Sequence, residues 1–412
     1  HSTPHVQVGS ERLAIRRARH DVQGHVSSTT PRQVGTVASA DQIPAGVVLA
    51  QDVTGIGTVT VSDDAFFSDA VTYEITGVTI PDDGTAYEGW LVSDDGTQLL
   101  STGVMEVDDD GNVNHTFTSD SGENLIRNYS QVMISIEPVP DADAASSGVF
   151  AFQDAIDSGD MTHVRHLVAD WPEDSDSGIA TSLIAQLEAI DREASRIAGQ
   201  SNTAEIADIN NSMERIVNAI EGPNGANYAD HDGDGTIEEV GDGVGAVSHA
   251  NDAIAHAALA GTGSTAKAHG ELVQVSAQSS IDFMALATSK AVTDVVGGSG
   301  TTARLSVGQV AGLVDNALNG LDADIDGIIT GAGEAGARQA YREAQLMVTY
   351  TMIGSTVVTT TPDPVATPAP AAPTTGDSTI PALVQAGMVA AAVLILGGGF
   401  LMLGGRRSKE SV

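Results

Sequence analysis

Residues 87–119 read YEGWLVSDDGTQLLSTGVMEVDDDGNVNHTFTS and alternate apolar with polar side chains in short runs that acidic turns separate. The same period of two recurs in the neighbouring segments GTVTVSD, AVTYEITGVTI and QVMISIEPV. Such alternation is typical of strands that bury one face. Short strands joined by turns such as PDDG and SDDG therefore favour an antiparallel β-sandwich over residues 46–152.

Residues 153–353 have a different pattern, in which apolar side chains recur at steps of three and four among many alanines. Glycine closes most of these runs, as is typical of helix C-termini. We expect an α-helical bundle here. Its helical segments are TSLIAQLEAIDREASRIAG, AEIADINNSMERIVNAIEG, GAVSHANDAIAHAALAG, ELVQVSAQSSIDFMALATSKAVTDVVGG, SVGQVAGLVDNALNG and EAGARQAYREAQLMVTYTMIG.

Two acidic segments inside the helical region share one pattern. Residues 230–242 read DHDGDGTIEEVGD, and residues 322–334 read DADIDGIITGAGE. Each has Asp at positions one, three and five, Gly at six, Ile at eight and its next well-placed acid at thirteen. Each follows a segment that ends in Asn-Ala-Ile/Leu-x-Gly. The pair indicates an internal duplication of a helix, a loop and another helix.

Alternating carboxylates suit calcium, which takes about six to eight oxygen ligands and needs a sharp turn that glycine permits. Through position eight, both segments resemble EF-hand or dockerin-like calcium loops, and the resemblance implies a backbone carbonyl ligand at position seven. Position twelve, where that family has a bidentate Glu, is Gly241 or Gly333. We expect variant calcium sites, and the alternative is a connector that caps the next helix. The predicted Ca²⁺ ligands are Asp230, Asp232, Asp234, Thr236, Glu238 and Asp242 in the first loop and Asp322, Asp324, Asp326, Ile328 and Glu334 in the second.

Four histidines form a second candidate set. His163 and His166 lie in one short segment, and His249 and His256 lie in another, each pair at a spacing that places both side chains on one helix face. Two such helices could present four imidazoles to zinc or copper. Nothing in the sequence brings the two helices together, so surface or capping histidines are the favoured interpretation.

The charge and the composition exclude several functions. The 412 residues include 55 acidic and 18 basic side chains, for a formal net charge of -37. Nucleic acid attracts basic surfaces, so we expect no nucleic-acid partner. The chain has no cysteine, which excludes disulfides and thiolate metal sites. The sequence also lacks the GxSxG, HExxH, Walker and Rossmann patterns, so we expect a protein that is not an enzyme.

The C-terminal residues predict a membrane anchor. Residues 380–405 are free of charge and long enough to span a bilayer as one helix. The Pro-, Thr- and Ala-rich residues 354–379 predict an extended stalk, and the basic tail 406–412 favours the cytoplasm. The preceding residues would then lie outside the cell. Residues 1–45 contain no apolar stretch of the kind a signal peptide needs, and they stay an unassigned leader.

The sequence APTTG at residues 372–376 resembles the LPxTG cell-wall sorting signal of Gram-positive surface proteins. Ala372 stands where that signal has Leu. Because a sortase reads this side chain in a pocket, we favour a plain membrane anchor over covalent attachment to the wall.

The Tyr-Glu-Gly-Trp strand that begins at Tyr87, the STG after it and the acidic hairpin that follows resemble the extracytoplasmic C-terminal domain of anti-sigma-K factors. In that family, a cytoplasmic N-terminal domain holds the sigma factor, and the chain crosses the membrane before the β domain. Here the predicted span follows the β domain. The cytoplasmic tail RRSKESV is too short to clamp a sigma factor.

These patterns lead to two functional hypotheses. The favoured one is a prokaryotic cell-surface protein, anchored in the membrane or wall and stabilised by calcium, with a structural or interaction role and an envelope protein as partner. The alternative is an extracytoplasmic sensor or regulatory component related to anti-sigma factors, which would report through a membrane partner.

Overall fold

The computed structural model describes residues 48–355, apart from residues 51, 142, 143, 174, 261 and 262. The predicted leader, the span over residues 380–405, the cytoplasmic tail, the LPxTG-like segment and almost all of the stalk lie outside these residues. Within the described range, no helix combines the length and the apolar character that crossing a membrane requires.

Two β-sheets form the first part of the fold. One sheet has the strand order β1-β8-β7-β4-β5 and the other has the order β6-β3-β2-β9. Neighbouring strands are antiparallel except for the short parallel pair of β1 and β8. The prediction of antiparallel strands followed by helices is thus confirmed. The strands are β1 Val48–Leu49, β2 Ile56–Ser62, β3 Ala70–Thr76, β4 Thr85–Val92, β5 Leu99–Met105, β6 Val113–Thr118, β7 Gln131–Pro138, β8 Val149–Ala155 and β9 Thr349–Ile353.

The Tyr-Glu-Gly-Trp strand lies at the centre of the packing. Tyr87 is buried against the core, and its hydroxyl donates a hydrogen bond to the carbonyl of Thr79 at 2.9 Å. Trp90 is buried on the other face of the strand, where its Nε1 donates to Ser135 Oγ at 2.7 Å. Gly89 lies between them, and a Cβ there would come within 2.3 Å of the Met105 side chain. This motif therefore fits the tight packing of the strand.

Apart from one short helix, which lies between β6 and β7, the described helices occupy the chain between β8 and β9. Each of the predicted helical segments contains a helix, and a π-helical segment at Ala291–Val296 extends the longest one. Within the described residues the helices are α1 Leu125–Asn128, α2 Ser158–Val168, α3 Ile179–Gln200, α4 Ile206–Glu221, α5 Ala246–Leu259, α6 Ser264–Lys290, α7 Gly300–Asn319 and α8 Ala337–Leu346.

The helices before the two acidic loops end in the same way. Gly222 after α4 and Gly320 after α7 have φ of 69° and 83°, a left-handed conformation that glycine adopts readily. The N–H of each donates to the carbonyl of the Asn four residues earlier, Asn218 or Asn316, at 2.8 Å. The repeated Asn-Ala-Ile/Leu-x-Gly sequence is therefore a repeated helix end.

The segment EAGARQAYREAQLMVTYTMIG differs from the expected single helix. The helix α8 ends at Leu346, and Thr349–Ile353 forms β9. β9 pairs antiparallel with β2, with Thr349 opposite Thr60 and Ile353 opposite Ile56. The β-branched residues of this stretch favour a strand once a sheet edge is present to pair with it. The sheet edge comes from a part of the chain almost three hundred residues earlier, beyond the reach of local periodicity.

The helices and sheets share one continuous hydrophobic core. Its buried members include Tyr350 in β9, Met161 in α2 and Leu183 in α3. Arg165 of α2 adds a polar contact, donating two hydrogen bonds to the Asp94 carboxylate at 2.6 and 2.7 Å. Its Nε also donates to the carbonyl of Ile126 at 3.1 Å. These hydrogen bonds join α2 to Asp94, which follows β4, and to Ile126 in α1.

Candidate metal-binding sites

The first acidic loop winds around the carboxylate of its first residue. Asp230 accepts the N–H of Gly233 at 2.7 Å and that of Gly235 at 2.9 Å. Asp234 accepts the N–H of Thr236 at 2.7 Å. Gly235 has φ of 93°, so the sharp turn expected at position six is present.

The second loop repeats the hydrogen bonds from positions six and seven to the acids at positions one and five. Asp322 accepts the N–H of Gly327 at 3.0 Å, and Asp326 accepts the N–H of Ile328 at 2.7 Å. Gly327 has φ of 86°. Position four is left-handed in both loops, with φ of 80° at Gly233 in the first and 63° at Ile325 in the second. The duplication thus extends to the backbone conformation.

A buried acid outside the first loop organises it. Glu214 of α4 accepts the N–H of His231 at 2.7 Å and of Asp232 at 3.1 Å through one oxygen, and that of Glu238 at 2.9 Å through the other. Ligand atoms of Glu214, Asp230 and Asp232 all lie within 4.8 Å of one another. Glu214 is absent from the predicted ligands because it lies on the preceding helix, outside the acidic segment. An acid on the packed side of an amphipathic helix was the available signal.

In the second loop, Asp322, Asp324 and Asp326 offer oxygens that lie within 4.8 Å of one another. Glu334, predicted as the last ligand, accepts the N–H of Ala323 at 3.3 Å through its side chain. Three of the predicted ligands of the second loop therefore lie together, and Glu334 contacts the backbone beside them.

Asp242, the predicted last ligand of the first loop, has other partners. Its Oδ2 lies 2.7 Å from His249 Nε2, and its Oδ1 accepts the N–H of Val244 at 2.9 Å. Its own N–H donates to the buried side chain of Gln186 at 3.0 Å. Burial raises the pKa of Asp242, but hydrogen bonds from Val244 and His249 outweigh burial and leave that pKa below its usual value. Asp242 thus joins the loop to the start of α5.

Three of the four candidate histidines come together between α2 and α5. His256 Nδ1 lies 3.3 Å from His163 Nδ1 and 3.2 Å from His166 Nδ1. The Trp171 ring packs beside them, with its centroid 4.7 Å from that of His256 and 5.0 Å from that of His166. We call His163, His166 and His256 the histidine triad. His249 is tied to Asp242 instead.

The environment of two members of the histidine triad, His166 and His256, favours neutral imidazole. Burial lowers the pKa of His166, and the neighbouring His163 lowers it further. Burial likewise lowers the pKa of His256, with added repulsion from His166 and His163. Neutral imidazole is the form that binds metal ions.

The sandwich can now be compared with known proteins. Residues 11–149 match the family model described as anti-sigma-K factor rskA, C-terminal. No curated protein and no solved structure gives a significant match to the chain. The sandwich of this chain therefore contains a module similar to the C-terminal region of that family.

The match has definite limits. It begins inside the segment that the sequence left unassigned, and it ends at Val149, the first residue of β8. It includes neither the acidic loops nor the LPxTG-like segment, so both of those resemblances stay predictions. The remainder of β8 and all of β9, which complete the two sheets, lie beyond the matched residues.

Proposed function

We propose that the chain is a non-catalytic, extracytoplasmic sensor or regulatory component related to anti-sigma factors. The observation that carries this proposal is the match of residues 11–149 to the anti-sigma-K factor C-terminal family, since the described part of that segment, from residue 48 on, folds largely as antiparallel strands. This observation favours the regulatory hypothesis over the purely structural surface role that the sequence placed first.

The packing of the helices on the sandwich supports a sensing role. A sensor needs two parts whose conformations depend on each other. Besides the contact of Arg165 with Asp94, Tyr341 of α8 donates to Asp63 Oδ1 at 2.8 Å, and Gln345 donates to the same atom at 2.6 Å. Asp63 directly follows β2, the strand that pairs with β9. A shift of α2 or α8 would therefore alter side-chain hydrogen bonds to the sheets, and a shift of α8 would also act through the backbone pairing of β9 with β2.

Calcium binding at the acidic loops is a second proposal, and it is compatible with the first. It is supported by the same hydrogen-bonding pattern around the acids at positions one and five of both loops. With an imperfect final ligand, we expect affinity typical of extracellular calcium modules, with Kd of about 10⁻⁴ to 10⁻³ M. Calcium would then act as a structural ion or as the sensed signal.

We further propose that the described residues face the outside of the cell, held by the predicted span over residues 380–405. Protease added to intact cells should cut within the predicted stalk and release a soluble fragment that contains the sandwich and the helices. An intracellular marker protein should stay intact in the same sample. Complete protection of the chain, in cells where a known surface protein is cut, would contradict this topology.

Deleting the coding sequence in the native prokaryote tests the regulatory role. We expect changed transcription of a set of genes that share one promoter motif. A sigma factor that is released or inactivated changes transcription only at promoters with the sequence that it recognises. The intact chain should restore the original profile. An unchanged profile, under conditions in which the chain is detected in the envelope, would contradict the proposal.

A complementing chain with Asp232→Asn and Asp324→Asn separates the two proposals. If regulation needs calcium, this variant restores nothing despite normal abundance. If the acidic loops only stabilise the fold or bind no ion, the variant restores the transcript profile in full.

A further inference from the structure

We propose that the histidine triad, His163, His166 and His256, is a binding site for a divalent transition metal ion, with zinc as the best-fitting ion. The three imidazoles would supply three nitrogen ligands, which leaves a fourth coordination position for water or an external ligand. This site is separate from the acidic loops, and the inference does not rest on the regulatory role.

The spacing of the ring nitrogens fits a tetrahedral ion. Zinc binds histidine nitrogen at about 2.0–2.1 Å, so two nitrogens of one tetrahedral site lie about 3.3 Å apart. His256 Nδ1 lies 3.3 Å from His163 Nδ1 and 3.2 Å from His166 Nδ1. One nitrogen from each of the three rings can be chosen so that all lie within 4.8 Å of one another. The triad thus has the dimensions of three corners of a zinc site.

Hydrogen bonding among the three rings does not explain their convergence. A neutral imidazole has one N–H donor and one acceptor nitrogen. His256 Nδ1 meets two other Nδ1 atoms, and its single lone pair accepts only one well-directed hydrogen bond. If His256 Nδ1 carries the proton instead, that one proton is shared between two acceptors. A cation placed between the nitrogens satisfies all three lone pairs at once.

The surroundings favour a cation at this position. The carboxylates of Asp170 and Glu173 act to raise the pKa of His166, and the carboxylate of Asp252 acts to raise that of His256. Each of these carboxylates therefore favours a positive charge at the triad. Arg127 partly offsets this effect, since its guanidinium lies 3.6 Å from Asp170. Trp171 packs beside the rings of His166 and His256.

The local helices hold the ligands in place. His163 and His166 are one helical turn apart on α2, and His256 lies in the last turn of α5. Met161 and Val164 of α2 and Ala253 and Ala257 of α5 are buried in the core, which fixes both helices near the triad. A bound ion would therefore join two helices that are already packed, at low cost in conformational entropy.

The test is calorimetric titration of Zn²⁺ into the full chain in detergent, after removal of bound metals with a chelator. Millimolar Ca²⁺ in the buffer competes at oxygen-rich sites such as the acidic loops, and it competes poorly for imidazole. We expect one zinc ion per chain. His256→Gln and His166→Gln should each weaken binding by at least about tenfold. His249→Gln, a substitution on α5 outside the triad, should leave zinc binding unchanged.

X-ray absorption of the zinc-loaded wild-type chain gives a readout that does not depend on any variant folding. A first shell of nitrogen or oxygen at about 2.0–2.1 Å, with the outer-shell scattering of several imidazoles, would support the triad. An oxygen-only shell would overturn it. Zinc binding of unchanged affinity and stoichiometry in a folded His166→Gln, His256→Gln double variant would overturn it as well.

Discussion

Asp242 Oδ2 lies 2.7 Å from His249 Nε2. The sequence predicts Asp242 as a calcium ligand in the first loop, and it offers His249 as a candidate metal ligand for which a surface or capping role is the favoured interpretation. In the fold they contact each other instead. The contact ties the end of the acidic loop to the first turn of α5.

Asp242→Ala should therefore lower stability and leave the response to calcium intact. The substitution removes the partner of His249 and the acceptor of the Val244 N–H, and it should cost about 1–2 kcal/mol of unfolding free energy. The difference between melting in calcium and in chelator should keep its wild-type size, because Glu214, Asp230 and Asp232 are unchanged. If Asp242→Ala eliminates that difference, Asp242 is a ligand after all.

Calcium should raise the melting temperature of the full chain. Clustered carboxylates repel one another without a cation, and a ligand at free concentration c that binds only the folded state stabilises it by RT ln(1 + c/Kd), which is about 1.4 kcal/mol at a tenfold excess over Kd. Scanning calorimetry in millimolar calcium and in chelator measures the effect. Asp232→Ala together with Asp324→Ala should abolish it.

Screening is the main competing cause of such a shift. A chain with a formal charge of -37 is stabilised by added salt without any specific site. Sodium chloride at matched ionic strength controls for this, and magnesium should act more weakly than calcium because it prefers smaller octahedral sites. If sodium reproduces the whole shift, the loops are connectors only.

Glu214→Gln should destabilise the first loop even without calcium. The buried carboxylate accepts three backbone N–H groups of the loop, and an amide retains one oxygen for them. We expect a loss of about 2–3 kcal/mol and weaker binding of calcium. Glu205→Gln, at the exposed start of the same helix, is the matched control and should change stability little. Equal melting of the two variants would show that Glu214 does not organise the loop.

Ile325→Gly should stabilise the second loop. Ile325 is 87% exposed and has φ of 63°, a conformation that costs a β-branched residue about 1–2 kcal/mol. Part of this gain is lost to the greater freedom of glycine in the unfolded chain. The reciprocal change, Gly233→Ile at the same loop position, should lower stability, since φ there is 80°. Effects of the same sign at both positions, in thermal melts, would contradict the assigned backbone conformation.

Arg165→Gln should weaken the junction between α2 and the sandwich. The hydrogen bonds from Arg165 lower the pKa of Asp94 below its usual value. The stabilising contribution of the pair is therefore complete above the ordinary Asp pKa of about 3.9 and is lost as pH falls through the lower folded-state value. Because Asp94 is 54% exposed, we expect a loss of only about 1 kcal/mol at pH 7.

The control for this substitution is Arg192→Gln, on the exposed side of α3. Melting curves at neutral pH and at about pH 2.5 should show the Arg165→Gln deficit shrinking in acid, while the control stays close to wild type at both values. If the loss of stability in Arg165→Gln is the same at both pH values, the stabilising contact of Arg165 is its hydrogen bond to the carbonyl of Ile126.

Local pattern was sufficient for the elements whose residues alternate or recur within one segment. β2, β3, β4, β6 and β7 lie where period two predicts them, and α4 and α7 end at the expected glycines, Gly222 and Gly320. β5, with the sequence LLSTGVM, and β8, with VFAFQDA, were missed because apolar or small residues interrupt their alternation. Both strands are defined by pairing with β4 and β7 rather than by their own sequence.

The candidate sites also contain features that local sequence predicts and features that only tertiary packing creates. The turns of the acidic loops depend on residues close in sequence, so Gly235 and Gly327 were predictable. Glu214 was missed because it reaches the loop from a preceding helix. The triad needed the packing of α2 against α5, and it joins residues 90 or more positions apart in the chain. No local spacing contains that information.

The closing of the fold by β9 also determines how it would bear mechanical load. Ser355 Oγ donates to the carbonyl of Ala50 at 2.6 Å, and the N–H of Gly354 donates to the carbonyl of Gly55 at 2.9 Å. Both ends of the described chain thus leave the same corner of the sandwich. Tension applied between them would fall first on these few hydrogen bonds, on the pairing of β9 with β2 and on the short pairing of β1 with β8. The helices, with the acidic loops and the histidine triad, lie outside that line of force until one of these two strands detaches.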